Sequence, residues 1–248
     1  MNFCDLTGKT AFVTGSSRGI GRAAGHLLAQ LGAQVIFHGS KKSAALLEAT
    51  LKAGCSRFVA ADFENPEVVE EVADSFVNSG KVPDILVLNA SVQSYVGLTD
   101  FDAGEFSRMF RANVESSCLL LRKLLPKMRK QGFGRVIFVG SINGVRPAQR
   151  LAVYGATKAA LMNIAKVAAL ENAPYGITVN TILPGVIETD RNAEKLRDAD
   201  FAGKLKKQIP MHRFGTVDDC AGVIAFLASD AASYITGAEI PVSGGWQL

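Results

Sequence analysis

The feature that most constrains this chain is a series of short, unbroken apolar runs lying between helix-patterned segments. Ile85-Leu86-Val87-Leu88 is the clearest. A strand with one wet face alternates apolar and polar residues, whereas one that is apolar throughout is buried on both faces. Strands are predicted over residues 9–14, 35–38, 57–60, 85–89, 135–139, 178–183 and 240–242. Helical patterns fill the gaps: from the turn after residue 14 to about 31, then 43–52, a long one over 102–130, then 153–172 and 217–227. Another helix opens at Asn65-Pro66-Glu67, a capping residue, a proline with no donor to waste and an acid at the positive end of the dipole. Val68, Val69, Val72, Ala73 and Phe76 follow on one face. Residues 184–213 read as a longer irregular section.

Buried strands joined by helices, with right-handed crossovers, make a doubly wound parallel α/β sheet of about seven strands with helices on both faces. No repeat, low-complexity segment or linker divides residues 1–248, so one domain is expected. A chain of 248 residues, 48% apolar and 20% charged, has ample material for its core. No apolar run approaches the roughly 18 residues of a membrane span. Met1-Asn2-Phe3-Cys4-Asp5 has no basic region followed by an apolar stretch, which points to a cytoplasmic protein. Cys4, Cys55, Cys118 and Cys220 are isolated and only three histidines accompany them. Neither a metal site nor a disulfide framework is expected, and the thiols read as buried or half-buried residues of a reducing compartment. The net charge of +4 gathers at 122–135 and 204–207, read as solvated helix faces. Without interleaved aromatics or a reading helix, no nucleic-acid partner is expected.

Thr14-Gly15-Ser16-Ser17-Arg18-Gly19-Ile20-Gly21 lies between the first strand and the first helix. Glycines there allow a tight turn and a close backbone approach to a pyrophosphate, and the helix start offers free amides to that anion. Gly15, Ser17, Arg18, Gly19, Ile20 and Gly21 are the candidate phosphate-binding residues. After the second strand, His38-Gly39-Ser40-Lys41-Lys42 has no acid to hold a ribose diol. Arg18, Ser40 and Lys41 suit a 2′-phosphate instead, so NADP(H) is favoured over NAD(H).

Tyr154 and Lys158 stand four residues apart near a helix start and share its face. A phenol titrates near ~10, and a neighbouring cation pulls it toward working pH, which makes Tyr154 a usable general acid/base. Ser141 directly follows the fifth strand, at the carboxyl edge where ligands bind, and its hydroxyl can hold a carbonyl oxygen.

On the Thr14–Gly21 turn, Asp62, Asn89-Ala90, Asn113, Ser141, Tyr154, Lys158, and Pro184-Gly185 with Thr189, the sequence resembles the short-chain dehydrogenase/reductase family over nearly its whole length. The resemblance implies a Rossmann-type domain that interconverts a carbonyl and a secondary alcohol by hydride transfer. It implies that Asp62, with Phe63 beside it, meets the adenine, and that Asn89 and Ala90 line the cofactor cleft. Lys158 would also hold the nicotinamide ribose. Asn113 would position a water in a proton relay reaching Lys158. Backbone around Val186 to Ile187 and the Thr189 hydroxyl would hold the carboxamide, with Pro184 and Gly185 also counted among the cofactor-binding residues. A homotetramer, or a dimer, is implied as well. The family's Asn-Asn-Ala-Gly reads Leu88-Asn89-Ala90-Ser91 here, and its Asp-Gly-Gly reads Ser243-Gly244-Gly245.

Gly176-Ile177-Thr178-Val179-Asn180 and Phe226-Leu227-Ala228-Ser229-Asp230 look most like 3-oxoacyl-(acyl-carrier-protein) reductases. Those dock their acidic carrier with two arginines, where Gly132 and Tyr175 stand here. Lys130 and Arg135 are possible substitutes. The small-molecule substrate is expected among residues 91–95, 143–150 and a loop over about 185–213. Arg146, Arg150 and Arg191 either bind an anionic substrate or face water. Gln93, Asn143 and Gln149 hint at a polar one. His26 and His38 read as packing and cleft residues. Two alternatives stay open: a carrier-dependent 3-oxoacyl reductase, and a catalytically silent nucleotide-binding scaffold or sensor.

Overall fold

A computed structural model describes residues 4–55 and 57–248; Met1-Asn2-Phe3, which begin the stretch read for a leader, lie outside the described residues. Seven strands form one parallel sheet: β1 Thr10–Val13, β2 Gln34–Gly39, β3 Arg57–Ala60, β4 Ile85–Leu88, β5 Gly134–Val139, β6 Ile177–Pro184 and β7 Glu239–Val242. Their spatial order is β3-β2-β1-β4-β5-β6-β7. The order reverses direction between β1 and β4, and a crevice opens at the carboxyl ends of strands flanking such a switch point.

Each strand feeds two cores because successive side chains point to opposite faces. Phe12, Ile36, Leu86, Val136 and Phe138 pack under α3 (Pro66–Asn78), α5 (Ser116–Gln131) and α6 (Ala152–Asn172). Ala11, Val13, Val35, Phe37, Val87 and Ile137 pack under α1 (Gly19–Gln30), α2 (Ala44–Lys52) and α9 (Val217–Ala228). The single doubly wound sheet read from the pattern is the fold found here. No helix among the described residues is long and apolar enough to cross a membrane.

Three local expectations change. The long helix expected over 102–130 is two α-helices, α4 (Ala103–Phe110) and α5, joined by a π-helical turn over Arg111–Glu115. A π turn adds one residue without breaking the apolar pattern, so periodicity cannot see it. The section expected to be irregular over 184–213 contains α7 (Asp190–Leu196) and α8 (Ala199–Gln208). Asp198 caps α8 by accepting from the N–H groups of Asp200 and Phe201. Arg135, counted with the solvated basic stretch, is buried at 4% exposure. It donates to the carbonyls of Gly134 and Gly176 and pairs with Asp230 at 3.1 Å.

Candidate active site

The glycine-rich turn is pinned to the sheet by side chains from both neighbouring strands. Thr14 Oγ1 accepts the N–H groups of Asn89 and Ala90, each at 2.9 Å. Asn89 Nδ2 donates to the carbonyls of Thr14 and Gly15. A Cβ on Gly15 would lie 2.8 Å from Ala90 Cα, and the residue holds φ +63°, so only glycine fits. From the other side His38 Nδ1 accepts the Gly15 N–H at 2.9 Å. Its Nε2 lies 2.9 Å from the Ala61 carbonyl, which can only accept, so this nitrogen carries the proton. The ring stacks on Phe63 at 4.0 Å. Burial holds the imidazole down at about 4, against the opposing pull of the Ala61 carbonyl and Asp62.

No side chain caps the start of α1 at Arg18. Its first-turn amides and positive dipole end meet a cleft lined by Gly15, Ser17, Arg18, Gly19, Ile20, Ser40, Asp62, Phe63, Asn89 and Ala90. This uncapped start, above a turn only glycine can make, fits the pyrophosphate of a dinucleotide. Gly21 is buried against the Gly15 carbonyl and Ser16 rather than in the cleft. Lys41, expected at the 2′-phosphate, is not among the cleft-lining residues, whereas Arg18 and Ser40 are. Lys41 and Lys42 precede α2, which starts at Ala44 and is capped by Ser43.

Across the switch point the same cleft is lined by Val139, Gly140, Ser141, Tyr154, Lys158, Pro184, Gly185, Ile187 and Thr189. Ser141 Oγ accepts the Asn143 N–H, and the hydroxyl is near enough to Tyr154 to favour the ionised phenol. Lys158 Nζ donates to the Val139 carbonyl at 2.8 Å and sits 5.6 Å from the centre of the Tyr154 ring. Lys158 is pushed down to about 7, first by burial and then by the Arg191 charge. The expected lowering of Tyr154 by Lys158 is not what the site produces. Burial raises the phenol; Arg191 and the Ser141 hydroxyl oppose that rise without cancelling it.

Asn113 is fully buried in the π turn and does not line the cleft. Its Oδ1 accepts the Val92 N–H at 2.7 Å, and Nδ2 donates to the Val92 carbonyl and to Thr157 Oγ1. The Asn113 side chain is thus engaged by Val92 and Thr157. Glu64, Arg108 and Arg191 also line the cleft. Glu64 and Arg108, joined at 3.0 Å, carried no motif to announce them. Arg191 Nη2 donates to Ser91 O at 2.8 Å and lies 3.3 Å from Ser91 Oγ.

The family described as Enoyl-(Acyl carrier protein) reductase matches residues 15–247. The chain is 38% identical over 244 residues to the 3-oxoacyl-[acyl-carrier-protein] reductase of Vibrio cholerae, covering 98% of this chain and 99% of that protein. A crystal structure of 3-oxoacyl (acyl-carrier-protein) reductase from Agrobacterium tumefaciens with NADP bound superposes with a TM-score of 0.93 at 34% identity, over 98% of this chain and 96% of that one. A gluconate 5-dehydrogenase from Burkholderia cenocepacia in complex with NADP and tartrate superposes with a TM-score of 0.92 at 28% identity, over 99% of this chain and 97% of that one.

Proposed function

The chain belongs to the short-chain dehydrogenase/reductase family, and from that premise we propose that it reduces a carbonyl to a secondary alcohol with NADPH, or runs the reverse oxidation with NADP. One observation carries the reading: Ser141, Tyr154 and Lys158 share a cleft with the uncapped start of α1 and the glycine turn. NADP rather than NAD is supported by Arg18 and Ser40 in that cleft, by the absence of an acid after β2, and by NADP in the related structures.

When bound, the reduced nicotinamide supplies the hydride. Ser141 Oγ donates to the substrate oxygen and fixes the carbonyl beside Tyr154. Tyr154 gives its proton to the oxygen as negative charge develops there. A phenol held up by burial keeps that proton until the alkoxide forms. Lys158 holds the ribose of the cofactor, and its charge assists the phenol once cofactor hydroxyls and phosphates favour the ammonium. Asn113 contributes through its backbone carbonyl to proton supply, its side chain being engaged by Val92 and Thr157. Asp62 and Phe63 face the adenine end, and Pro184, Gly185, Ile187 and Thr189 the carboxamide end.

The carrier-dependent alternative keeps one physical argument. Gly132 caps α5 with φ +68°, but Arg129 stacks on Tyr175 at 5.1 Å, so a cation does stand at the second docking position. A homotetramer or dimer fits α6, which leaves Val167 and Leu170 exposed on an apolar helix. A cytoplasmic setting fits the unbridged thiols of Cys55, Cys118 and Cys220. The deciding experiment is NADPH binding by fluorescence titration, followed by NADPH oxidation with ketones, sugars, oxo acids and acyl thioesters. Tight binding with turnover of one class supports the reductase. Binding without turnover of any class favours a silent scaffold, and no binding overturns the cleft assignment.

A further inference from the structure

We infer that Arg191 holds a carboxylate of the substrate, so that the carbonyl compound reduced here is a short oxo acid. The inference rests on the reductase reading of the cleft and specifies its substrate class.

Three arginines surround the substrate side, and the fold gives each a different setting. The Arg146 guanidinium lies over the Trp246 ring at 4.6 Å. Arg150 Nη2 donates to the Tyr95 carbonyl. Arg191 alone of the three lines the cleft. Its two contacts with Ser91 run from one nitrogen, Nη2. Ser91 stands where the family pattern has a glycine, so the hydroxyl that meets Arg191 is a feature of this chain. Anchoring through Nη2 orients a planar fork that has further N–H donors to offer.

The charge around this guanidinium is unbalanced. Arg108 is held by Glu64 and Glu105, and Arg213 by Asp219. Among the described residues no carboxylate pairs with Arg191, and Lys158 beneath it donates only to a backbone carbonyl. Arg191 thus faces the phenol without a paired carboxylate, and its charge helps to hold Lys158 down. A neutral ketone leaves that imbalance in place. A carboxylate relieves it and accepts charge-assisted hydrogen bonds from the guanidinium fork. Arg191 is also near enough to the Tyr154 hydroxyl to favour its ionised form. The carbonyl oxygen must sit at that hydroxyl, and Arg191 lines the same cleft as Tyr154, so the carboxylate that Arg191 takes belongs to a short acid.

The reaction balances without further components. The hydride of NADPH forms the new bond to the carbonyl carbon, the π pair moves to oxygen, and the Tyr154 proton is taken up there. The products are NADP and a hydroxy acid, with the carboxylate unchanged and the phenol reprotonated from solvent.

The test compares 2-oxobutanoate and 3-oxobutanoate with their methyl esters, in the native enzyme and in Arg191→Met. Loss of one charge-assisted pair should lower kcat/KM about 10- to 100-fold more for the free acids than for their esters. An equal fall for acids and esters would mean that Arg191 acts on Tyr154 or on the fold, and would overturn the inference. So would weaker NADPH binding in the variant, which would assign the guanidinium to the cofactor, and so would native activity on esters but not acids. A second arm needs no turnover: malonate and succinate are titrated into the NADP complex and read by fluorescence. Binding that disappears in Arg191→Met supports the carboxylate site even if the reductase reading fails. Absence of binding together with indifference of acid turnover to the substitution overturns the site while leaving that reading intact.

Discussion

His38 Nδ1 accepts the backbone N–H of Gly15 at 2.9 Å, so the phosphate-binding turn is held by an imidazole from the adjacent strand. Only the neutral ring can do this, because a protonated Nδ1 has no lone pair to offer. The ring is fully engaged: its other nitrogen binds the Ala61 carbonyl and its face covers Phe63.

That arrangement makes stability depend on pH. His38 titrates at about 4 in the fold and near ~6.5 in the unfolded chain, so acid favours the unfolded state. The contribution is fully present above about pH 6.5 and is lost as pH falls toward 4. Between pH 7.5 and 5 this one group should remove about 2 kcal/mol. Urea unfolding at the two pH values measures the loss, and His38→Gln should shrink the difference between them. An unchanged difference in the variant would show that His38 is not its source.

Cofactor binding should take up a proton at Lys158. The ammonium is held at about 7 by burial and by Arg191, and cofactor hydroxyls and phosphates favour its charged form. At pH 8 about one proton should enter per NADPH bound, and affinity should weaken as pH rises through 7 and beyond. Calorimetry in two buffers of different ionisation enthalpy reads the uptake directly, and Lys158→Met should abolish it. Buffer-independent heats in the native protein would contradict the assignment.

Tyr154→Phe should separate binding from chemistry. In the proposed mechanism the hydroxyl supplies the transferred proton, while the ring fills a buried position that phenylalanine can also occupy. Turnover should drop by about 10²- to 10⁴-fold, with the NADPH dissociation constant within about twofold of native. Retained turnover would remove Tyr154 from the mechanism.

Discrimination between cofactors should fall on Arg18 more than on Lys41, because only Arg18 reaches the cleft. Arg18→Ala should weaken NADPH by about 10- to 100-fold and leave NADH nearly unchanged, with Lys41→Ala a smaller effect on either. Equal losses for the two cofactors in Arg18→Ala would place the guanidinium at the shared pyrophosphate.

What the sequence by itself determined is what depends on neighbours along the chain. Apolar runs such as Ile85–Leu88 required strands buried on both faces, and the observed sheet buries β1, β4, β5 and β6 while its edges β3 and β7 stay partly exposed. The Thr14–Gly21 turn was readable because its glycines, strand and helix are contiguous, and Tyr154 and Lys158 because one helical turn joins them. Other features were decided only in the tertiary structure. His38 meets Gly15 across 23 residues, Asn113 meets Thr157 across 44, and Arg191 meets Ser91 across 100. Burial also acts on both members of the Tyr154–Lys158 pair, holding the cation down and the phenol up. A charge's environment is set by whatever the fold packs around it, and local spacing carries no record of that packing.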